Sequence, residues 1–168
     1  ESLFQQTLDD IEYIFVDDCT LDNSIEILKR VIERYPHRKK QVRIERMPKN
    51  SGLPAVRTFG LQFVTSDYIV HCDSDDWVSL DIYEKLYDKI VKEHADLVFC
   101  DYYISEEDDK LQYFSKQIND TTKTVILSRL LTEFSLNPLW SVIAHKKLYN
   151  ENLLKIRGKN EKRKKNST

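Results

Sequence analysis

The chain has 168 residues, enough for one domain with a real hydrophobic core. Its net charge of -2 gives no electrostatic footprint for nucleic acid, and no apolar run is long enough for a transmembrane helix. No charged-then-apolar signal segment opens the sequence, and three cysteines without metal-type spacing read as packing in a reduced, cytoplasmic setting.

Strand-like and helix-like stretches alternate along the chain. Ile11 to Val16 (IEYIFV) is short, apolar and β-branched, and it stops at Asp17-Asp18. Ile25, Leu28, Val31, Ile32 and Tyr35 then recur at helical spacing, with Asn23 placed to cap that helix and Glu26 three residues on. Val42 to Arg46 reads as a short strand and MPKNSGLP as a loop rich in breakers. A second helix runs through Leu53, Val56, Gly60, Phe63 and Val64, with Pro54 in its first turn. Asp67 to Cys72 is a strand that ends in Asp73, Asp75 and Asp76. Ser79 is placed to cap a third helix, whose apolar face is Leu80, Tyr83, Tyr87, Ile90 and Val91. Asp96 to Ile104 is a fourth strand. This order predicts an α/β fold, a Rossmann-like, mostly parallel sheet with helices on both faces.

Beyond Ser105 the pattern changes. Residues 105–120 are acidic and polar and read as a loop. Thr124 to Phe134 and Leu139 to Leu154 read as helices or mixed structure. The last stretch, 155–168, carries seven Lys and Arg against one Glu and reads as a disordered basic tail. A second reading draws that tail to the anionic inner face of a membrane.

The strongest chemical signal is Asp73-Ser-Asp75-Asp76-Trp77 at the end of an apolar strand. In open parallel sheets, ligands sit at that end. Two carboxylates about 4 Å apart repel by roughly 4 kcal/mol at an effective dielectric of about 20, and a divalent cation removes that cost. Hard oxygen ligands suit Mg²⁺ or Mn²⁺, which keep positions for water and substrate phosphate. The plain alternative is an acidic loop facing water, or caps for the helix after Ser79. Asp17-Asp18 follows a second apolar strand and would lie on the same rim if both strands are parallel. A carboxylate there could accept a hydrogen bond from a pyrimidine N–H, or could simply make a turn. In Lys49-Asn-Ser-Gly-Leu-Pro-Ala-Val-Arg57, Gly52 allows a tight loop. Arg57 could reach phosphate, pair with an acid, or stand as an exposed surface residue.

Together these stretches resemble the family 2 glycosyltransferases, nucleotide-sugar-dependent enzymes of the GT-A fold. The matching pieces are QQTLDDIEYIFVDDCTLDNS, NSGLPAVRTFGLQFVTSDYIVHCDSDDWV and DLVFCDYY, and the DxD match is Asp73-Ser-Asp75. The resemblance implies a nucleotide-sugar-binding GT-A core over 1–104, a partial acceptor-side region over 105–154 and the basic tail over 155–168. It implies that Asp18 contacts the nucleobase with Asp17 beside it, and that Arg57 approaches the donor. Asp73 would contact ribose or metal, and Asp75 would be the main protein ligand of Mg²⁺ or Mn²⁺. Asp76 and Trp77 would shape the sugar pocket. The implied reaction moves a sugar, with inversion, from a nucleoside diphosphate donor, a UDP-sugar foremost, to a hydroxyl of a glycan or lipid-linked acceptor. That chemistry belongs to polysaccharide or glycan biosynthesis.

Two features depart from the family. Its opening apolar strand and Pro-Thr/Val-Tyr-Asn-like turn would precede Glu1. Its acidic base motif would follow Leu154, where this chain runs into IRGKNEKRKKNST. The expectation is a chain truncated at both ends, with the first strand missing, no assignable catalytic base and poor turnover. Two alternatives stand beside it, a non-catalytic relict domain and a Mg²⁺-dependent phosphatase; NSGLPAVR and Asp76-Trp77 speak against the latter.

Overall fold

The computed structural model describes residues 1–105, 111–115 and 141–149. The chain forms two compact units. One comprises Glu1–Asp67, Trp77–Glu84 and the residues from Lys146 onward; the other comprises Tyr68–Asp76 and Lys85–His145.

The first unit is built on a parallel pair, β1 (Tyr13–Asp17) and β2 (Val42–Arg46), in register from Tyr13 opposite Val42 to Asp17 opposite Arg46. Parallel neighbours need a crossover, and helix α1 (Ser24–Glu33) supplies it. Its periodic apolar residues do what their spacing predicts. Ile32 is buried with Phe4 and Tyr13, and Leu28, Val31 and Tyr35 pack against them. Asn23 takes the N-cap position, but its side chain makes no cap bond. Asp22 does that work instead: its Oδ1 accepts from the Ser24 N–H at 2.8 Å and the Thr20 hydroxyl at 2.9 Å. Helix α2 (Leu53–Gly60) ends in a single 3₁₀ turn, Leu61–Phe63. At Gly60 a Cβ would lie 3.2 Å from Val16 Cγ2, so this glycine lets the helix sit close on β1.

The irregular segment ahead of β1 is held by side chains that look unremarkable in the sequence. Phe4 is buried and stacks on Tyr35 at 5.6 Å between ring centroids. Arg38 is 3% exposed, and its guanidinium donates to the carbonyls of Gln6 (2.6 Å), Leu8 (3.0 Å) and Asp9 (2.7 Å) and to Gln41 Oε1 (3.2 Å). Gln6, also buried, donates to the carbonyls of Ser2 and Ser79 and accepts from the Tyr83 N–H. A segment outside helix and sheet must find partners for its backbone groups, and these two residues provide them. Glu12 does the same for the residues just ahead of Tyr68. Its carboxylate accepts from the N–H and hydroxyl groups of both Thr65 and Ser66.

In the second unit, β3 (Tyr68–Val70) and β4 (Leu97–Phe99) both pair antiparallel with β7 (Val142–His145), giving the order β3-β7-β4. The two outer strands therefore run the same way, with a reversed strand between them. Val142, Ile143 and Ala144 are buried, as befits a central strand. Among the described residues, β1 pairs only with β2, and β3 only with β7.

Four local expectations are corrected. The run from Asp96 to Ile104 is two strands, β4 and β5 (Tyr102–Ser105), broken at Cys100-Asp101. Within the expected loop 105–120, Leu111–Phe114 forms β6 and pairs antiparallel with β5, Tyr102 opposite Phe114. Of the stretch expected as helix or mixed structure, Val142–His145 is a strand, because its partners lie far away in the chain, and a 3₁₀ turn, Lys146–Tyr149, follows it. Helix α3 (Ile82–Lys92) starts later than Ser79 would cap, and the Ser79 carbonyl, not its hydroxyl, accepts from the Ile82 N–H. Its buried residues are Tyr83, Leu86 and Ile90, while Tyr87 and Val91, and Leu80 just ahead of the helix, are exposed. The expectations for Thr124–Phe134 and for 155–168 lie outside the described residues. No helix among the described residues is long and apolar enough to cross a membrane.

Candidate functional site

The first unit carries Asp17, Asp18, Arg57 and Trp77. Asp17 ends β1 and turns inward, with its side chain only 3% exposed. One of its carboxylate oxygens accepts from the Thr20 N–H at 2.8 Å, and the other accepts from Arg46, its register partner on β2, at 2.7 Å. Its carboxylate is committed to closing the end of the strand pair. Asp18 faces the loop ahead of α2. Its Oδ1 accepts from the Ser51 N–H and its Oδ2 from the Gly52 N–H, each at 2.8 Å, and Asn50 Nδ2 donates to its carbonyl at 3.0 Å. The strand end and the NSG loop, separate signals in the sequence, are thus brought together here.

Two backbone features shape this corner. Gly52 has φ +79°, a conformation other residues adopt only with strain, and a Cβ there would meet no atom within 4 Å. Cys19, at φ 62°, takes the left-handed region without being glycine, and its thiol donates to the Met47 carbonyl at 3.0 Å. Arg57 stands in the last turn of α2. The Tyr149 phenol is pushed up by burial and drawn back down by the Arg57 charge, which places that guanidinium near it. Trp77 is 60% exposed, a large apolar surface left open to solvent.

The second unit carries Asp73, Asp75 and Asp76. They follow β3 in a tight turn closed by the Asp76 N–H donating to the Asp73 carbonyl at 3.2 Å. Asp75 and Asp76 are exposed and Asp73 is half-buried. The Asp76 carboxyl is held above its ordinary range, first by burial and then by the charges of Asp75 and Asp73. The charges of Asp75 and Asp73 thus add to burial in disfavouring the Asp76 carboxylate. No preformed group of three or more His, Cys, Asp and Glu side chains that could hold an ion exists among the described residues. Carboxylates are hard oxygen donors, of which Mg²⁺ typically takes one or two beside water and substrate phosphate.

Arg46, which binds the Asp17 carboxylate, was not singled out by the sequence, and neither were Arg38, Gln6 and Glu12, which hold the irregular segments of the first unit. Arg38 lies in the run His37-Arg-Lys-Lys40, which looks like a solvated basic face. Only the contacts show that one of its members is buried.

The sequence profile of glycosyl transferase family 2 matches residues 1–157. The chain belongs to this family. Among curated relatives, it is 38% identical over 114 residues to Glycosyltransferase GlyA of Streptococcus pneumoniae, covering 68% of this chain and 16% of that protein. It is 35% identical over 126 residues to an uncharacterized glycosyltransferase of Haemophilus influenzae, covering 72% of this chain and 48% of that one. The chain thus spans less than half the length of either relative. Among solved structures it is similar to S. aureus TarS, with a TM-score of 0.51 and 23% identity over 58% of this chain and 17% of that one. That likeness bears on the fold alone, and with the family match it makes the fold GT-A, as the motifs around Asp18 and Asp75 imply.

Proposed function

We propose that the chain is the nucleotide-sugar-binding part of a glycosyltransferase. The enzyme would move a sugar, with inversion, from a nucleoside diphosphate donor, a UDP-sugar foremost, to a hydroxyl of a glycan or lipid-linked acceptor in polysaccharide biosynthesis. The observation that carries this reading is the turn after β3, which brings Asp73, Asp75 and Asp76 together and where burial, then the charges of Asp75 and Asp73, hold the Asp76 carboxyl up, in a chain matched by the family profile over residues 1–157. In this reading Asp75, with Asp73, holds Mg²⁺ or Mn²⁺, and the metal supplies charge stabilisation for the departing diphosphate. Asp18 accepts from the nucleobase through lone pairs its backbone partners leave free, since each carboxylate oxygen can take more than one donor. Arg57 approaches the donor phosphates, Asp76 and Trp77 border the sugar, and Asp17 stands beside Asp18 in the chain. The acceptor hydroxyl needs a general base, and none of the described residues is assigned that task.

Titration calorimetry tests the donor and metal roles. UDP should bind the chain in the presence of Mn²⁺ and bind at least tenfold more weakly with chelator, as expected when a charged diphosphate loses its counter-ion. Asp75→Ala should abolish most of that difference. Equal affinity with and without chelator would remove the metal from the proposal.

A further inference from the structure

Asp18 does more in this fold than present a carboxylate. Three consecutive residues, Asn50, Ser51 and Gly52, all donate to it, two of them through backbone N–H groups at 2.8 Å to a charged acceptor. Bonds of that kind are about twice as strong as neutral ones. What hangs from this anchor is α2. The N–H groups of Ala55 and Val56 both donate to the Gly52 carbonyl at 3.1 Å, so the helix's first turn is bonded to the residue Asp18 holds. The far end of α2 is seated on β1 by the close approach of Gly60 to Val16. Between these two fixed points stands Arg57. The same bonds explain why Gly52 can persist at φ +79° in an exposed loop. They also occupy the Ser51 and Gly52 N–H groups, which are therefore not available to a phosphate.

Resting on the donor-site reading above, we propose that Asp18 is a positioning residue. Its carboxylate anchors the Asn50–Gly52 loop at the entry of α2 and thereby fixes where Arg57 stands, whichever base the donor carries. A carboxylate that only reads the base affects nucleotides alone. One that positions Arg57 also affects a diphosphate with no base attached.

Amide hydrogen exchange by NMR and calorimetry with two probes, Mn²⁺–UDP and Mn²⁺–pyrophosphate, separate the cases. In Asp18→Asn the Ser51 and Gly52 amides should exchange on the order of tenfold faster, with the amides of α1 unchanged as a control for folding. Both probes should lose affinity, and pyrophosphate by on the order of threefold or more. Gly52→Ala leaves the carboxylate in place but opposes the required φ, so it should loosen the same amides and weaken pyrophosphate in the same way. It carries the test if Asp18→Asn does not fold. Unchanged Ser51 and Gly52 exchange in both variants would overturn the anchor. Weakened UDP with unchanged pyrophosphate in Asp18→Asn would show that Asp18 only reads the base and overturn the positioning role. A wild-type chain that binds neither probe would sink the donor-site reading and the Arg57 role with it, while the exchange measurement still decides the anchor without any ligand.

Discussion

Removing the Arg38 guanidinium should cost the first unit more than any other single polar change. The side chain is 3% exposed and donates to four oxygens, three of them main-chain carbonyls of the segment ahead of β1. Its nearest carboxylate oxygen, on fully exposed Asp9, is 3.9 Å away, so the ion pair is screened and contributes little. The value lies in the hydrogen bonds. Charge-assisted bonds are worth about 1.5–3 kcal/mol each, but they do not add, and part of the sum offsets the desolvation of a buried charge. Arg38→Ala removes the guanidinium donor from the Gln6 and Leu8 carbonyls and one of three donors from the Asp9 carbonyl, which keeps the Ile11 N–H and Gln41, and it opens a cavity, for an expected loss of about 3–5 kcal/mol. Against a typical domain stability of about 5–15 kcal/mol, that brings the unit near unfolding at room temperature. Arg38→Lys keeps the charge but replaces a planar fork by a single point that cannot face all four acceptors, for a loss of about 2 kcal/mol. Urea unfolding followed by tyrosine fluorescence gives the midpoints, and an unchanged slope shows that the difference is one of stability. A loss below about 1 kcal/mol for Arg38→Ala would mean that water replaces the guanidinium without penalty and that the other contacts of the segment, those of Phe4 and Gln6, hold it.

Burial pushes the Glu12 carboxyl up, but the four bonds from Ser66 and Thr65 outweigh it and leave the group below its ordinary value of 4.5. A depressed folded-state pKa gives stability that is present above 4.5 and lost as pH falls through the lower folded value. Glu12→Gln should therefore flatten the acid side of the stability–pH curve, as read by thermal unfolding between pH 2 and 6 (about two units either side of the ordinary value). Cys19→Gly should stabilise by about 0.5–1 kcal/mol, by relieving the left-handed φ at the expense of a weak thiol bond, and a loss on denaturant unfolding would show that the thiol matters more than the strain. Asp75→Asn should bring the Asp76 carboxyl down towards, but not to, its usual range, because burial remains. Carbonyl-carbon NMR titration would detect this, and an unmoved Asp76 would deny the charge coupling.

Much of the first unit's core was legible because its signals are local. The apolar run before Asp17 is a strand wherever its partner lies, and the α1 periodicity places Ile32 in the core without reference to anything distant. β7 could not be read in that way. Val142–His145 is too short for its period to distinguish strand from helix, and it becomes a strand because β3 and β4 flank it. The N-terminal side of α1 shows a finer limit. Asn23 and Asp22 are both good capping residues, and only the geometry of Thr20 decides that Asp22 accepts the bonds. Of the acids, Asp73, Asp75 and Asp76 meet in one turn as their spacing implies. Asp17 and Asp18, alike in sequence, part company: one is turned into the strand pair and the other is given to the loop. Side-chain direction alternates along a strand, so neighbours at its end face different surroundings.

The placing of β7 also bears on how this protein is made. Its two partners leave the ribosome well before it does: Val70 pairs with Ile143, a separation of roughly 70 positions, and loop closure of that size forms slowly. Through that interval β3 and β4 have no central strand to cover their hydrogen-bonding edges, and open apolar edges are where chains find each other. The sequence made meanwhile includes Glu106-Glu107-Asp108-Asp109, a block of like charge of the kind that keeps nascent strands apart. During synthesis the first unit's β1–β2 pair closes early and locally, whereas the acidic turn after β3 gains its supporting sheet only once residue 145 has emerged.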